Sequence, residues 1–389
     1  MSPRLANLTT LRLGGAPARY VEAASERDVV VAVREADRAG EPVLVLGGGS
    51  NLVVADGDLA ATVIRIITNG VTATDQGDRV RLSVQAGEDW DGLVARCVAD
   101  GLAGIECLAG IPGSVGATPI QNVGAYGQDV SEAIVAVRVY DRATDTISEF
   151  APADCGFAYR SSVFKRTPGR WVVLSVAFEL EARGDSMPIR YAELARALGI
   201  ELGERAPLAD VRAAVLGLRR RKGMVIDPGD PDSVSAGSFF TNPILDPAAF
   251  AELEERAGEP PPRYPQADGT VKTSAAWLIE RAGFGRGYGD PETIAISDKH
   301  TLALTNRGAG TTTQLVALAR EIAAGVRDAF GVELVPEPVL VGHDWSTSEP
   351  RAPLERAARS AIGPLSPAGS DPRTRRARPA APRPARRRA

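Results

Sequence analysis

The chain has 389 residues, 44% hydrophobic and 24% charged, a composition ordinary for a globular protein of two or three domains. Its three cysteines (Cys97, Cys107, Cys155) include no CxxC pair and its histidines are only His300 and His343, which excludes a disulfide framework, a Cys-rich zinc site and a multi-His metal centre and leaves a Ser-His-Asp triad almost no candidates. The formal net charge of −4 conceals two opposed segments: residues 344–389 hold 11 Arg and 4 acidic residues, leaving residues 1–343 at −11.

In chain order, Ser25 with Asp28 three residues on reads as a helix start, followed by Val29, Val30, Val33 and Ala36 at helical spacing and Gly40 as the stop. The apolar run 42–46 reads as a buried strand that opens into the glycine loop 47–51 and resumes as a strand at 52–54. Residues 81–86 alternate as a strand does, and Asp89 caps a helix ended by Gly101. Seven glycines between 101 and 127 predict an ordered loop region, and 135–140 and 171–180 are further strands with period-two patterning. Asp227-Pro-Gly-Asp-Pro-Asp232 reads as a linker, 313–330 as an amphipathic helix with Leu315, Leu318, Ile322 and Val326 on one face, and 332–341 as a last strand. Residues 344–389, with eight prolines and little apolar material, are expected to be disordered. The amino terminus lacks the basic and apolar regions of a signal peptide and no apolar run reaches the length of about 20 residues that a membrane span needs, so a cytoplasmic protein with no membrane partner is expected.

Gly47-Gly48-Gly49-Ser50 after a buried strand offers consecutive backbone N–H groups to a pyrophosphate. It lacks the Lys-Ser/Thr of a Walker loop and the third glycine of a Rossmann fingerprint, and taken alone it reads equally as a tight turn. The second loop, 110–127, adds small residues, two prolines and the pair Gln121-Asn122, a chemistry suited to close approach of a large ligand.

These motifs, Leu46-Gly-Gly-Gly-Ser-Asn51, Ile111-Pro-Gly-Ser-Val-Gly116 and Gln121-Asn-Val-Gly-Ala-Tyr126, resemble the flavin-binding region of the UDP-N-acetylenolpyruvoylglucosamine reductase family (UDP-N-acetylmuramate dehydrogenases, type I). The resemblance continues through 157–165, 236–243, 264–272, 275–279, 300–306 and 334–339. It implies an α+β chain: a two-part FAD-binding domain of the vanillyl-alcohol-oxidase-like (PCMH-type) fold, formed by 1–68 with 331–343 and by 69–221, then an α+β substrate-binding domain at 222–330 and the basic tail 344–389. It further implies non-covalent FAD, NADPH as co-substrate, UDP-N-acetylglucosamine enolpyruvate as substrate and a monomer. The cofactor contacts would come from Gly47, Gly48, Gly49, Ser50, Asn51, Ile111, Pro112, Gly113, Ser114, Gly116, Gln121, Asn122, Gly124, Ala125 and Tyr126.

By the same resemblance Ser238 stands where the family protonates a carbanion, Arg160 where it stabilises an enolate, and Glu337 where it assists beside that arginine. Outside their motifs these would read as a turn serine, a surface salt-bridge arginine and a solvated strand-edge glutamate. A carboxyl beside an enolate is useful only if it is protonated or shares a proton, so a raised pKa is expected for Glu337. Tyr191 matches a substrate-covering tyrosine, although Ala192 replaces a frequent glycine; Lys222 and Asn242 match contacts to the UDP moiety; His300 is a ligand or a packed imidazole. The runner-up is another FAD oxidase or dehydrogenase of the same fold acting on a small alcohol or sugar, and the absence of His near either glycine loop counts against a tethered flavin. The Arg-rich tail has no interleaved aromatics and reads as solvated chain, so no nucleic-acid partner is expected.

Overall fold

Ser25 closes one strand and opens a helix: its hydroxyl accepts from the Asp28 amide at 3.1 Å, and Val29, Val33 and Ala36 turn inward along Glu26–Arg38. In the computed structural model, which describes residues 2–345, this helix packs on a three-stranded parallel sheet in the order Pro17–Ala23, Leu59–Ile66, Val43–Leu46. A second, antiparallel sheet runs Thr146–Phe150, Ile134–Asp141, Trp171–Ala182, Arg79–Gln85, Val71–Asp75, with Leu102–Ala103 paired to the far end of its central strand. Residues 172–178 of that central strand are buried without interruption instead of alternating, because the strand lies between others and both its faces are covered.

The helix Thr312–Phe330 begins at a capping box of Thr311 and Gln314 and ends at Gly331, whose φ of 72° is the left-handed conformation that terminates helices. Its buried stripe, including Leu315, Leu318, Ile322 and Val326, organises a second core with Phe239, Phe240, Phe250, Leu278 and Ile294, and Leu11, Leu13 and Val53 from the amino-terminal part of the chain join it.

Two further expected features differ. Residues 227–232 are no free linker: Pro231–Ser233 form a short 3-10 helix, and Asp232 is buried against Arg307 at 3.1 Å. The expected strand 332–341 is reduced to Val339–Val341, since Pro336 and Pro338 remove ladder donors and leave the chain before them irregular. That short strand pairs in parallel with Leu52–Val54, and the Val339 amide donates to the Asn51 carbonyl at 3.0 Å. The carboxy-terminal part of the described chain is thereby seated beside the first glycine loop. Among the described residues no helix is long and apolar enough to cross a membrane, and no group of His, Cys, Asp and Glu could hold a metal ion. The three cysteines are free and buried, and burial pushes the Cys97 thiol up to about 12. The expected disorder of 344–389 falls, from 346 on, outside the described residues.

Candidate active site

The two glycine loops pack against each other. A Cβ on Gly48 would stand 2.6 Å from the Gly113 Cα, and one on Gly47 would stand 2.2 Å from the Ser114 hydroxyl. The Ser50 hydroxyl donates to the Pro112 carbonyl at 2.8 Å, fixing the crossing. The glycines therefore serve loop-on-loop approach as well as approach to a ligand. Among the described residues the N–H groups of Gly48, Gly49 and Ser50 donate to no protein acceptor. They remain available to an anion, as in a phosphate-binding nest.

Both loops line a cavity of about 740 Å³ that also takes in Arg160, Tyr191, Lys222, Ser238, Asn242, His300 and Glu337. Of the residues expected at the cofactor, every one but Asn122 lines it. Asn122 is buried instead, its amide donating to the Ala158 carbonyl at 3.2 Å and its side-chain oxygen accepting from the Ser131 amide at 3.2 Å. It holds the second loop to the segment that carries Arg160.

A polar ring joins the loops to the expected catalytic residues. Asn51 donates to the Gln121 side chain at 2.6 Å, Gln121 donates to the Glu337 carboxyl at 3.3 Å, and Asn51 also reaches the Glu337 carbonyl at 3.4 Å. On the other side Arg160 Nε lies 3.3 Å from the same carboxyl oxygen, while its remaining nitrogens face the carbonyls of Gly124 and Asn122 and, at 3.7 Å, Asp129. Arg160 sits at φ 51°, a left-handed conformation costing a non-glycine residue about 1 kcal/mol, held by the paired backbone bonds of Ala158 and Ser161. Burial pushes the Glu337 carboxyl above its ordinary range, against the opposing pull of Arg160 and then Lys165.

Ser238 reaches this ring through the backbone. It ends the strand Ser235–Ser238, and the carbonyl of the next residue, Phe239, accepts from the Glu337 amide at 2.8 Å. The rings of Phe239 and Phe240, both about 1% exposed, anchor that segment in the second core.

Tyr191 sits at the N-cap of the helix Ala192–Leu198, so alanine after it begins a helix, where it is the most favourable residue. Its ring meets Tyr126 edge-on at 5.5 Å, and the Lys222 ammonium lies 5.8 Å from the Tyr126 centroid while paired with Glu193 at 2.8 Å. Asn242 accepts from the Ala275 amide at 3.0 Å. Burial, then the nearby Lys222 and Arg286, lower the His300 imidazole to about 4, so it is neutral at pH 7.

Sequence reasoning passed over four charged residues of the lining: Asp129, Lys165, Arg219 and Lys272. Arg219, in a run of three arginines, had no local signal; only the fold buries it, with one arm donating to the Met224 carbonyl at 2.8 Å. The scarcity of lysine, four against 41 arginines, could have drawn attention to Lys165 and Lys272. With Arg160 and Lys222, the lining carries five cationic side chains against Asp129 and Glu337, in a segment whose net charge is −11. This local field suits polyanionic ligands.

Fold and site together define a protein of the FAD-binding class: residues 17–150 match the family model described as an FAD binding domain. The loop cradle fits such a ligand, since its N–H groups at 48–50 donate to no protein acceptor among the described residues and side chains at Gly47–Gly49 would force apart the backbone that presents them. Residues 230–341 match the model described as UDP-N-acetylenolpyruvoylglucosamine reductase, C-terminal domain. The UDP-N-acetylenolpyruvoylglucosamine reductase of Thermobifida fusca is 59% identical over 345 residues, 87% of this chain and 96% of that protein. That of Streptomyces avermitilis is 58% identical, covering 87% and 93%. The chain belongs to the UDP-N-acetylenolpyruvoylglucosamine reductase family. The crystal structure of a UDP-N-acetylenolpyruvylglucosamine reductase from Thermus caldophilus, at 24% identity and a TM-score of 0.59 over 87% of this chain and 97% of that one, shares the fold.

Proposed function

We propose that this chain reduces the enolpyruvyl ether of UDP-N-acetylglucosamine to UDP-N-acetylmuramate, a step of peptidoglycan precursor synthesis, with FAD held non-covalently and NADPH as the source of hydride. The observation that carries this reading is the polar ring of Asn51, Gln121, Arg160 and Glu337 tied by backbone to Ser238, inside a cationic cavity. The glycine loop 47–51 and residues 111–114, 116, 121 and 124–126 would hold the flavin, which when bound would relay hydride from NADPH to C3 of the enolpyruvyl group.

The protein's own part is to manage charge and a proton. As C3 gains hydride, negative charge spreads from C2 into the adjoining carboxylate. Arg160 holds that charge with a fixed planar cation, and Glu337, its carboxyl raised by burial, can share a proton with the oxygen that accumulates it. Ser238 gives its hydroxyl proton to C2, a transfer that a serine manages only to a strongly basic carbon in hydrogen-bond reach. Tyr191 covers the substrate, Lys222 and Asn242 contact its UDP moiety, and His300 contributes a neutral wall.

One cavity receiving the two anionic substrates in turn gives parallel double-reciprocal plots. The same reading divides the chain into a flavin part (1–68 with 331–343, and 69–221), a substrate part (222–330) and the tail from 344. It places the enzyme as a monomer in the cytoplasm, a reducing compartment that keeps three unpaired cysteines as thiols.

The test is spectroscopic. The purified protein is expected to be yellow, to bleach with NADPH, and to regain colour on addition of UDP-N-acetylglucosamine enolpyruvate but not from air alone. Rapid recovery in air without the sugar nucleotide would favour an oxidase of the same fold and overturn the reading.

A further inference from the structure

Only four lysines occur in the chain against 41 arginines, and three of the four, Lys165, Lys222 and Lys272, line the cavity. Their surroundings differ. Lys222 is neutralised by Glu193 at 2.8 Å, and Lys299, outside the cavity, by Asp230 at 2.8 Å. Lys272 lies over the Tyr159 ring at 4.7 Å, where its charge also reaches Asp129. Lys165 makes no salt bridge among the described residues; the single hydrogen bond of its ammonium there is a long one, 3.4 Å, to the Glu337 carbonyl.

The position of Lys165 is well fixed. It belongs to the short helix Val163–Arg166, whose cap Ser162 accepts from the Lys165 amide and donates to the Ile120 carbonyl of the second glycine loop. Phe164 beside it is buried against Phe150 and Trp171. The side chain is thus held at the rim of the polar ring.

Donor availability separates Lys165 from Arg160. Three nitrogens of Arg160 already face Glu337, Gly124, Asn122 and Asp129. An ammonium has three N–H groups, and Lys165 spends one weakly on a carbonyl. Arg160 and Lys165 are the cations that bear on Glu337 while Lys272 faces Asp129, so this cluster holds one positive charge over its two carboxyls when all five are ionised. Removing Lys165 takes one positive charge from this group just where a carboxylate must gain a second negative charge.

We propose that Lys165 is a further catalytic residue: its ammonium donates to the carboxylate of the enolpyruvyl substrate and, with Arg160, holds the charge that collects there before C2 is protonated. Lys165 keeps its protons throughout, and the proton transferred comes from Ser238. This rests on the function proposed above.

The test compares the wild-type holoenzyme with K165M and K165R by anaerobic stopped flow, timing flavin bleaching by NADPH and recovery with UDP-N-acetylglucosamine enolpyruvate separately. K165M is expected to slow recovery by about 10- to 100-fold, the weight of one charge-assisted hydrogen bond, and to change bleaching by less than about threefold. K165R is expected to regain most of the recovery rate. A substrate analogue with a carboxamide in place of the carboxylate is expected to show little difference between K165M and wild type. Equal loss in both half-reactions, unchanged recovery in K165M, or no rescue by K165R would overturn the assignment. Should wild-type colour fail to return with the enolpyruvyl sugar nucleotide at all, the functional reading falls, and this assignment with it.

Discussion

Gly48→Ala tests the account of how the cofactor cradle is built. The added Cβ would stand 2.6 Å from the Gly113 Cα and 3.0 Å from its carbonyl carbon, where ordinary contacts begin at 3.4 Å. Both neighbours are backbone, so no rotamer change relieves the overlap. The loops must part by about 0.8 Å, which would carry the Ser50–Pro112 hydrogen bond from 2.8 Å to beyond normal length. Overpacking of this kind costs about 1–3 kcal/mol. Because the free N–H groups of the first loop move relative to the second, the loss is expected in cofactor affinity, about 5- to 100-fold. The assay is titration of stripped protein with FAD by fluorescence quenching, beside the thermal midpoint without FAD. Gly57→Ala, whose Cβ meets nothing within 4 Å, is the control and is expected to be neutral. A Gly48→Ala protein with wild-type affinity and stability would refute loop packing as the reason for that glycine.

Three further outcomes follow from particular contacts. Glu337→Gln preserves shape while removing the acid beside Arg160, and is expected to leave bleaching by NADPH near wild type while slowing recovery with substrate about 10²- to 10³-fold, by stopped flow. Asp56 accepts from the Thr312 and Thr313 amides at 2.6 and 2.9 Å; burial alone would raise its carboxyl, but these bonds outweigh it and leave the net pKa below the ordinary value. Its contribution is therefore present above the unfolded pKa and lost as pH falls: Asp56→Ala is expected to cost about 1–2 kcal/mol at pH 7, with the difference in thermal midpoint shrinking below about pH 4. Asp232→Asn takes from the largely buried Arg307 one of its two carboxylates, Asp232 at 3.1 Å and Asp298 at 3.2 Å, and is expected to destabilise by about 1–3 kcal/mol, read as a lower denaturation midpoint.

What could be read from the chain alone divides along the range of the interactions. The cap at Ser25, the helix start at Asp89 and the long helix ending at Gly331 are local, set by periodicity and capping within a few residues, and were legible to within one or two positions. The strand expected over 332–341 shrank because two prolines interrupt it, a local signal that the apolar pattern masked. The linker at 227–232 looked free because its anchor, Arg307, lies far along the chain. At the site, motif resemblance singled out Arg160, Ser238 and Glu337, and the fold brings all three to one cavity. It could not show that Asn122 turns away to brace the second loop, or that Lys165 reaches Glu337 from 172 residues away, since neither contact leaves a periodic or compositional trace in its own segment.

The central claim is that Ser238 gives the proton that completes the reduction, and Ser238→Ala followed by anaerobic stopped flow tests it most directly. Bleaching by NADPH should proceed at close to the wild-type rate, while recovery with UDP-N-acetylglucosamine enolpyruvate slows by about 10²- to 10⁴-fold, the weight of a lost general acid. Equal slowing of both half-reactions, or recovery at the wild-type rate, would contradict the account.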